Sequence, residues 1–264
     1  MIPARTKNDA DIEAARAAAS ALIDYYAIAE PGQISLHDIA YDRGVIVREG
    51  QLRGAEGRLV RRGSKGIIRV RSDDAYPGRV RFAIGHELGH WERHQHLSQY
   101  WMCTSDEIHA YAGSAIEQQA NAFSSELLMP TRLLVPRLGP GLSVSAFRTT
   151  AEEFAASLTP VASRCVELSD EDAYVLFSTG DDRTVSWWTR SKRADRKFPK
   201  QFAIRSESFA SCATVPPDRS PGPQKVETSA WFDIRHGEYE PEVWEESVYF
   251  RNLDIVMTLL ILME

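Results

Sequence analysis

The sequence predicts an α+β protein that begins with helices around a small β-sheet, continues with a short helical segment and ends with a second α+β domain. Up to about residue 168 helical patterns dominate, interrupted by three short apolar runs between residues 45 and 71. From Asp172 onward the apolar residues recur with a period of two, which is typical of strands. These changes of pattern place the predicted domains at residues 1–140, 141–170 and 171–264.

The predicted helices of the first domain have recognisable ends. An alanine-rich helix without proline is expected over residues 8–30 and should stop at Pro31. Ser35 is a suitable N-cap for a shorter helix that reaches Asp42. After the helix that contains His86 we expect a polar loop over residues 98–114. A long helix should follow over residues 115–129, ended by Pro130.

Strands are predicted in the first and the third domain. Those of the first domain are residues 45–47, 58–61 and 67–71, the last two joined by a turn at residues 63–66. Those of the third domain are residues 174–177, 184–188, 226–234, 243–250 and 255–263. The second set is the basis for a separate C-terminal α+β domain.

Two short helices are predicted between these domains. They cover residues 151–158 and 161–168 and are separated by Thr159-Pro160, an arrangement shaped like a helix-turn-helix. The second helix offers only Arg164 to DNA. We therefore expect the pair to pack against the rest of the protein and not to enter a DNA groove.

Composition and charge exclude several classes of protein. A net charge of −6 gives no general basic surface for nucleic acid, and the basic run at residues 190–197 is expected to be a solvated loop. The three cysteines form no Cys-x-x-Cys pair, which argues against a disulfide framework. A secretory signal is not evident, and the most apolar run, residues 255–263, is too short to cross a membrane. The expectation is a cytoplasmic protein without a membrane partner.

A motif with metal-binding spacing lies at residues 86–90, His86-Glu87-Leu88-Gly89-His90. Two histidines four residues apart share one face of a helix, so both imidazoles can bind one metal ion. Glu87 follows the first histidine and can reach an attacking water as general base without binding the metal. Apolar neighbours such as Phe82 and Ile84 predict a buried helix, in which polar groups without a role are costly. The residues therefore predict the site of a zinc hydrolase.

A catalytic zinc needs a third protein ligand, and the residues offer two candidates. His96 has the spacing of an extended motif, but Arg93 stands where that motif needs glycine to end the helix. His94 shares the metal-binding face but lies a turn further along. Glu117 opens the next long helix, and Asn121 one turn later can hydrogen-bond a ligating imidazole. We favour Glu117 and keep His96 as the alternative.

Two motifs together resemble the ImmA/IrrE family of metallopeptidases. The first is the zinc helix, preceded by Arg81-Phe82. The second is the sequence Glu117-x-x-Ala120-Asn121-x-Phe123-Ser124-x-x-Leu127-Leu128-Met129-Pro130, with serine at 124 where alanine is usual. The resemblance covers about residues 10–168, and Glu246-Ser247 with Met257 to Leu260 are similar to the tail of IrrE-like members.

This resemblance implies a zincin-like metallopeptidase domain with one zinc ion per chain. The ligands would be His86, His90 and Glu117, and the general base Glu87. It also implies that the helix-turn-helix-like segment precedes a GAF-like C-terminal domain. Members are cytoplasmic endopeptidases that cleave a helix-turn-helix repressor of the Xre type, which derepresses stress-response or mobile-element genes.

Three further expectations concern the site and its use. Tyr111 and His109, between the two metal-binding helices, are candidate oxyanion donors. The exposed side of the predicted strand at residues 67–71 could hold substrate as an added strand. The alternative function is a non-catalytic sensor or antitoxin-like protein with a structural zinc, closed by Cys103 on the predicted loop.

Overall fold

A computed structural model describes residues 7–72, 76–95, 100–103, 114–179, 184–195, 208, 210, 219–234, 239–251 and 253–263, without the side chains of residues 7–10 and 100–102. The chain folds into two compact units. The first contains Met1–Pro136 and Ala151–Pro160, and the second contains Arg137–Thr150 and Val161–Glu264. Residues 141–170 are thus divided between the units, and the functional division into three domains stays a prediction. The predicted α+β class is confirmed.

One helix of the first unit is the packing partner of two other helices. The unit contains the helices α1 (Lys7–Tyr25), α2 (Leu36–Asp42), α3 (Pro77–Arg93), α4 (Ala115–Leu128) and the short α5 (Thr131–Leu134). Helix α4 packs against both α1 and α3. Ala15, Ala19 and Ile23 form a fully buried stripe on α1 because they recur every four residues. The predicted N-cap of α2 is confirmed, since the Ser35 hydroxyl accepts a hydrogen bond from the Asp38 amide at 3.4 Å.

The first helix ends earlier than predicted. It stops at Tyr25, and not at Pro31, because Ala27 adopts a left-handed conformation with φ of 49°. The Ile28 amide then donates to the Ile23 carbonyl at 3.0 Å, and both side chains are buried. This is the Schellman type of helix end, in which an apolar contact accompanies the reversed hydrogen bond. The position of this helix end depends on the left-handed conformation of Ala27, which the helix propensity of alanine does not predict.

The sheet of the first unit has four strands in the order β1-β3-β2-β4. They are β1 (Val45–Gly50), β2 (Gly57–Arg62), β3 (Lys65–Arg71) and β4 (Tyr100–Cys103). The predicted hairpin is confirmed, because Arg62 pairs with Lys65 across a two-residue turn in which Gly63 has φ of 59°. Strand β1 pairs parallel to β3.

Two expectations about this sheet are wrong. Residues 100–103 form a strand paired with β2, although the sequence predicts a loop there. A four-residue strand of this kind is stabilised by its distant partner and has too few residues for a local pattern. In addition, β3 is hydrogen-bonded to β1 on one side and β2 on the other, so residues 67–71 cannot accept an added strand. Among the described strands, β1 and β4 are the outer ones.

The two helices after the first unit's α5 are α6 (Val144–Glu153) and α7 (Leu158–Leu168). The turn between them was predicted at Thr159-Pro160, which is wrong: both residues belong to the first turn of α7. Proline is tolerated there because the amides of a first helical turn have no partner within the helix. Arg164 of α7 is buried at 1% exposure and donates to Glu167 at 2.9 Å, so it does not face solvent.

The second unit contains an antiparallel sheet in the order β6-β5-β9-β8-β7. The strands are β5 (Asp172–Thr179), β6 (Thr184–Arg190), β7 (Gln224–Val226), β8 (Glu242–Phe250) and β9 (Ile255–Met263). The strand predicted over residues 226–234 is mostly wrong, because a 3₁₀ turn over Thr228–Ala230 follows β7. The Thr228 hydroxyl donates to the Pro241 carbonyl at 2.8 Å, and Trp231 is fully buried.

A buried carboxylate, Glu245 of β8, lies in the interior of this unit. Its oxygens accept hydrogen bonds from the Trp231 indole at 2.8 Å, the Ala210 amide at 2.7 Å, and the Ser247 and Ser208 hydroxyls at 3.0 and 3.1 Å. Burial raises the pKa of Glu245 above its ordinary value, and these four donors only partly oppose the effect.

Because the folded-state pKa of Glu245 is raised, its contribution to stability should be greatest below its ordinary pKa of about 4.3 and be lost as pH rises through the folded value. The Glu245→Gln variant cannot titrate at this position. The destabilisation caused by the substitution is therefore expected to decrease as pH rises, by about 1.4 kcal/mol per pH unit wherever the two states differ by one proton. Urea unfolding followed by tryptophan fluorescence at several pH values measures it. A Glu245→Gln difference that stayed the same at every pH would contradict the prediction.

Candidate metal centre

Helix α3 presents its two histidines from the buried interior of the first unit. It begins with Pro77, whose missing amide proton is not needed at a first helical position. His86 and His90 are both 0% exposed, and their ring centroids are 4.7 Å apart. The sheet lies against the same helix, where Gly66 leaves room for the Trp91 ring and the Arg61 guanidinium lies 3.4 Å from that ring's centroid. The histidine pair is thus held in a buried environment that excludes solvent.

Small residues bring α4 close to α3. A Cβ atom added at Gly89 would lie 3.0 Å from the Ala120 Cα atom, and one added at Gly85 would lie 2.5 Å from the Ser124 hydroxyl. That hydroxyl donates to the Phe82 carbonyl at 2.8 Å, so serine adds a hydrogen bond between the helices. The close approach allows the carboxylate of Glu117, on the first turn of α4, to reach both histidines.

Three ligand atoms converge between these helices. Glu117 Oε2 lies 3.0 Å from His86 Nε2 and 3.3 Å from His90 Nε2, and the two Nε2 atoms are 3.0 Å apart. A fourth donor belongs to the same group: Cys103 Sγ, on β4, lies 3.6 Å from His90 Nε2. The ligand atoms of all four residues lie within 4.8 Å of one another, and all four residues are buried. This group could hold a metal ion.

The other ring nitrogen of each histidine has its own partner. His86 Nδ1 lies 2.8 Å from Asn121 Oδ1, so a proton on Nδ1 is donated to the amide oxygen and Nε2 is left with its lone pair. His90 Nδ1 lies 3.0 Å from His94 Nδ1, and His94 Nε2 lies 3.1 Å from Gln119 Oε1. If His90 Nε2 is to bind a metal, His90 Nδ1 must donate its proton to His94 Nδ1. His94 Nε2 then donates to the Gln119 side-chain oxygen. Asn121 was expected here from the sequence, whereas His94 and Gln119 were missed.

Burial and charge set the protonation of the group. Burial lowers the pKa of His90 to about 4, so this imidazole is neutral at pH 7, as a metal ligand must be. Burial would raise the pKa of Glu117, but hydrogen bonds from His86 and His90 outweigh it and hold that pKa well below its ordinary value. Burial would lower the pKa of His86, but Glu117 and the charge of Glu87 raise it overall. At His86, therefore, a metal ion has to compete with a proton that the neighbouring carboxylates favour.

Glu87 is 0% exposed and its carboxylate lies against the backbone of β2. A Cβ atom at Gly57 would lie 2.2 Å from Glu87 Oε1, so the carboxylate fills the space that a side chain at Gly57 would take. The sequence gives no reason to select Gly57, because its importance comes from a helix residue thirty positions away in the chain.

Gly57→Ala is expected to displace the Glu87 carboxylate and leave the metal ligands in place. A displacement of about 1 Å at a reacting group can cost about 100-fold in rate, and we expect a decrease of this size in kcat/KM for the proposed substrate. Metal content, measured by plasma mass spectrometry, should not change. Gly32→Ala is the control, because no atom lies within 4 Å of a Cβ placed there. Wild-type activity in Gly57→Ala would show that the position of Glu87 is unimportant.

Several predicted residues lie outside the described part of the chain. These are the candidate oxyanion donors Tyr111 and His109, and His96, the alternative third ligand. Among the described residues, none of the helices combines the length and the apolar character that a membrane crossing requires.

Comparison with known proteins places the site within a family. Residues 40–166 match the family described as Peptidase_M78, IrrE N-terminal-like domain. No curated protein is significantly similar in sequence. Among solved structures the fold is similar to that of a Mycobacterium tuberculosis transcriptional regulator, with a TM-score of 0.60 and 16% sequence identity over 94% of this chain and 87% of that chain. At this identity the likeness concerns the fold alone.

The matched segment contains α3, β4 and α4 and therefore every residue of the candidate metal group. The family that the two sequence motifs indicated is thereby confirmed. Residues 40–166 are an IrrE N-terminal-like domain of the M78 peptidase family.

Proposed function

We propose that the protein is a zinc-dependent, site-specific endopeptidase whose substrate is a helix-turn-helix repressor of the Xre type. The observation that carries the proposal is the convergence of His86 Nε2, His90 Nε2 and Glu117 Oε2 within 3.0–3.3 Å of one another, beside Glu87. Two imidazoles and one carboxylate are the ligand set of the zinc peptidases that use a His-Glu-x-x-His helix.

The donor set fits zinc better than magnesium or calcium. Imidazole nitrogen is a ligand for zinc and other transition metals, whereas magnesium and calcium take oxygen ligands. A neutral, buried His90 and an ionised Glu117 are also the protonation states that zinc binding needs. When bound, zinc supplies Lewis acidity that polarises the scissile carbonyl and makes water a nucleophile near pH 7.

The protein's own residues perform the proton transfers. Glu87, held in position by the backbone at Gly57, accepts a proton from the attacking water and returns it to the amine that leaves. Asn121 orients the His86 ring by a hydrogen bond. The His90 ring is oriented by a hydrogen bond to His94, which is in turn hydrogen-bonded to Gln119. These contacts prepare the geometry before substrate arrives.

Strand β4 offers a binding surface for an extended segment of substrate. Among the described strands it is an outer one of its sheet, and Cys103 at its end belongs to the candidate metal group. Pairing of a substrate strand with β4 would bring a peptide bond to the site through main-chain hydrogen bonds. Pairing of substrate with β4 replaces the expected pairing with residues 67–71, because β3 already has a neighbouring strand on each side.

The substrate and the effect of its cleavage are the regulatory part of the proposed function. The family resemblance implies an Xre-type repressor as substrate, and the protein of similar fold is a transcriptional regulator. We infer that cleavage takes place in the cytoplasm and derepresses stress-response or mobile-element genes. The second unit, with its antiparallel sheet, would then be a GAF-like domain that controls the peptidase.

The test uses the zinc-loaded full-length protein and a helix-turn-helix repressor encoded by the neighbouring gene. Incubation is expected to give two repressor fragments that mass spectrometry assigns to one scissile bond. A chelator should abolish cleavage and added zinc should restore it. Intact repressor after incubation with several such candidates, at full zinc occupancy, would argue against the peptidase.

One observation favours a second function. Cys103 could complete four protein ligands around the metal, and zinc sites closed by four ligands are structural. The protein would then be a non-catalytic sensor or antitoxin-like partner. A repressor that is bound but never cleaved, with the same result after removal of the thiol, would favour this second function.

A further inference from the structure

Cys103 is placed at the metal group by the pairing of β4. It lies opposite Gly57 of β2, and its carbonyl accepts a hydrogen bond from the Glu56 amide at 2.9 Å. The side chain is 1% exposed, and Sγ lies 3.6 Å from His90 Nε2. A backbone held by a neighbouring strand on one side thus directs the thiol into the space between α3 and α4.

Four of the six separations among the four donors match a tetrahedral site. Zinc bonds of about 2.05 Å to nitrogen or oxygen and about 2.3 Å to sulfur, at tetrahedral angles, place nitrogen and sulfur about 3.6 Å apart and two lighter donors about 3.3 Å apart. The observed His90–Cys103 separation is 3.6 Å. The separations among His86, His90 and Glu117 are 3.0–3.3 Å. The ligand atoms of His86 and Glu117 lie within 4.8 Å of Cys103 Sγ. Cys103 is therefore close enough to the other three donors to complete a four-ligand site.

A fourth protein ligand changes what the site can do. A catalytic zinc keeps one position open for water, whereas a site closed by four protein ligands has none. We propose that the Cys103 thiolate is the fourth zinc ligand of the resting protein, and that it keeps the peptidase latent by filling the position that the attacking water requires. This inference rests on the proposed peptidase function for its latency, but the ligation itself does not.

Release of the thiolate involves the same strand that the substrate uses. Cys103 is at the end of β4, an outer strand of its sheet among those that the structure describes. We expect a segment that pairs with β4 to pull this strand away from α3 and to carry the Cys103 thiolate out of the metal group. Glu87, on α3, stays in place and acts on the water that enters. Substrate binding and opening of the site are thereby coupled.

The ligation is tested with cobalt in place of zinc, because a thiolate bound to cobalt gives a charge-transfer band in the near ultraviolet. The wild-type protein is compared with Cys103→Ala and with Cys165→Ala, which removes a buried thiol of the second unit as a matched control. The band is expected in the wild type and in Cys165→Ala and should be absent from Cys103→Ala. Lack of the band in the cobalt-loaded wild type would overturn the proposal, even if Cys103→Ala failed to fold.

A small chelating probe tests whether the site is closed. Acetohydroxamic acid needs an open metal position, so it should bind cobalt-loaded Cys103→Ala at least ~10-fold more tightly than the wild type or Cys165→Ala, a difference of about 1.4 kcal/mol. Equal affinity in all three proteins would contradict closure.

Repressor cleavage separates this inference from the proposed function. We expect zinc-loaded Cys103→Ala to cleave the repressor at least ~10-fold faster than the wild type. A slower variant would disprove latency. If none of the loaded proteins cleaves the repressor although the cobalt band is present, the peptidase function fails and the four-ligand site stands.

Discussion

Replacing Glu87 by glutamine is expected to lower kcat/KM for repressor cleavage by about 10²–10⁴-fold, the usual effect of a general base. Glutamine has nearly the same shape as glutamate, but its amide does not accept a proton from water at neutral pH. Glu87 is not among the four residues whose ligand atoms converge, so zinc content should remain that of the wild type. Rates follow from timed digests, and zinc content from plasma mass spectrometry of the same samples.

The matched control is Glu92→Gln on the same helix. Glu92 accepts hydrogen bonds from the Arg43 guanidinium at 2.9 and 3.0 Å and does not face the metal group. Loss of this ion pair, near the surface, should change stability by about 1 kcal/mol or less and leave the rate unchanged. Both variants are also compared in the Cys103→Ala background, in which the base acts at an open site. A Glu87→Gln protein with bound zinc and a wild-type rate would refute the proposed proton transfers.

The parts of the site that could be predicted are those with a local pattern. The spacing of His86 and His90 requires only a helix, and apolar residues around them predict that this helix is buried. Glu117 and Asn121 are also one turn apart on a helix that begins and ends where the sequence predicts, within a residue. Each prediction depends on neighbours within a few positions, which is the range over which helical geometry is nearly fixed.

The parts that could not be predicted depend on pairing between distant segments. Cys103 reaches the metal group only because residues 100–103 pair with β2, and four residues in a polar stretch carry no clear strand pattern. Gly57 matters only because β2 passes beside Glu87. His94 lies a turn beyond the two metal-binding histidines, and its role depends on Gln119 of α4. The sequence therefore predicted half of the environment of the metal group, and the sheet provides the other half.

Replacing Glu117 by glutamine is expected to weaken zinc binding by at least ~100-fold, or about 2.7 kcal/mol. Loss of a residue that only orients a ligand already costs 10–100-fold, and Glu117 is proposed to bind the metal itself. Its charge also balances the metal: Oε2 lies within 3.3 Å of both imidazole Nε2 atoms, and a neutral amide there supplies only a weak ligand. Competition with a chromophoric chelator measures the affinity.

Glu126→Gln on the same helix separates metal binding from stability. Glu126 is 2% exposed and accepts hydrogen bonds from Ser20 at 2.9 Å and from Thr131 at 2.8 and 2.9 Å. It lies nine residues from Glu117, about 13 Å along the helix axis. This control should lower the melting temperature of the zinc-free protein and keep the zinc affinity of the wild type. Glu117→Gln should instead lose most of the stabilisation that zinc gives. At a zinc concentration 100 times the wild-type dissociation constant, zinc stabilises the wild type by about 2.7 kcal/mol and the variant hardly at all. If zinc raised the melting temperature of Glu117→Gln as much as that of the wild type, Glu117 would not be a ligand, and His96 would become the candidate to test.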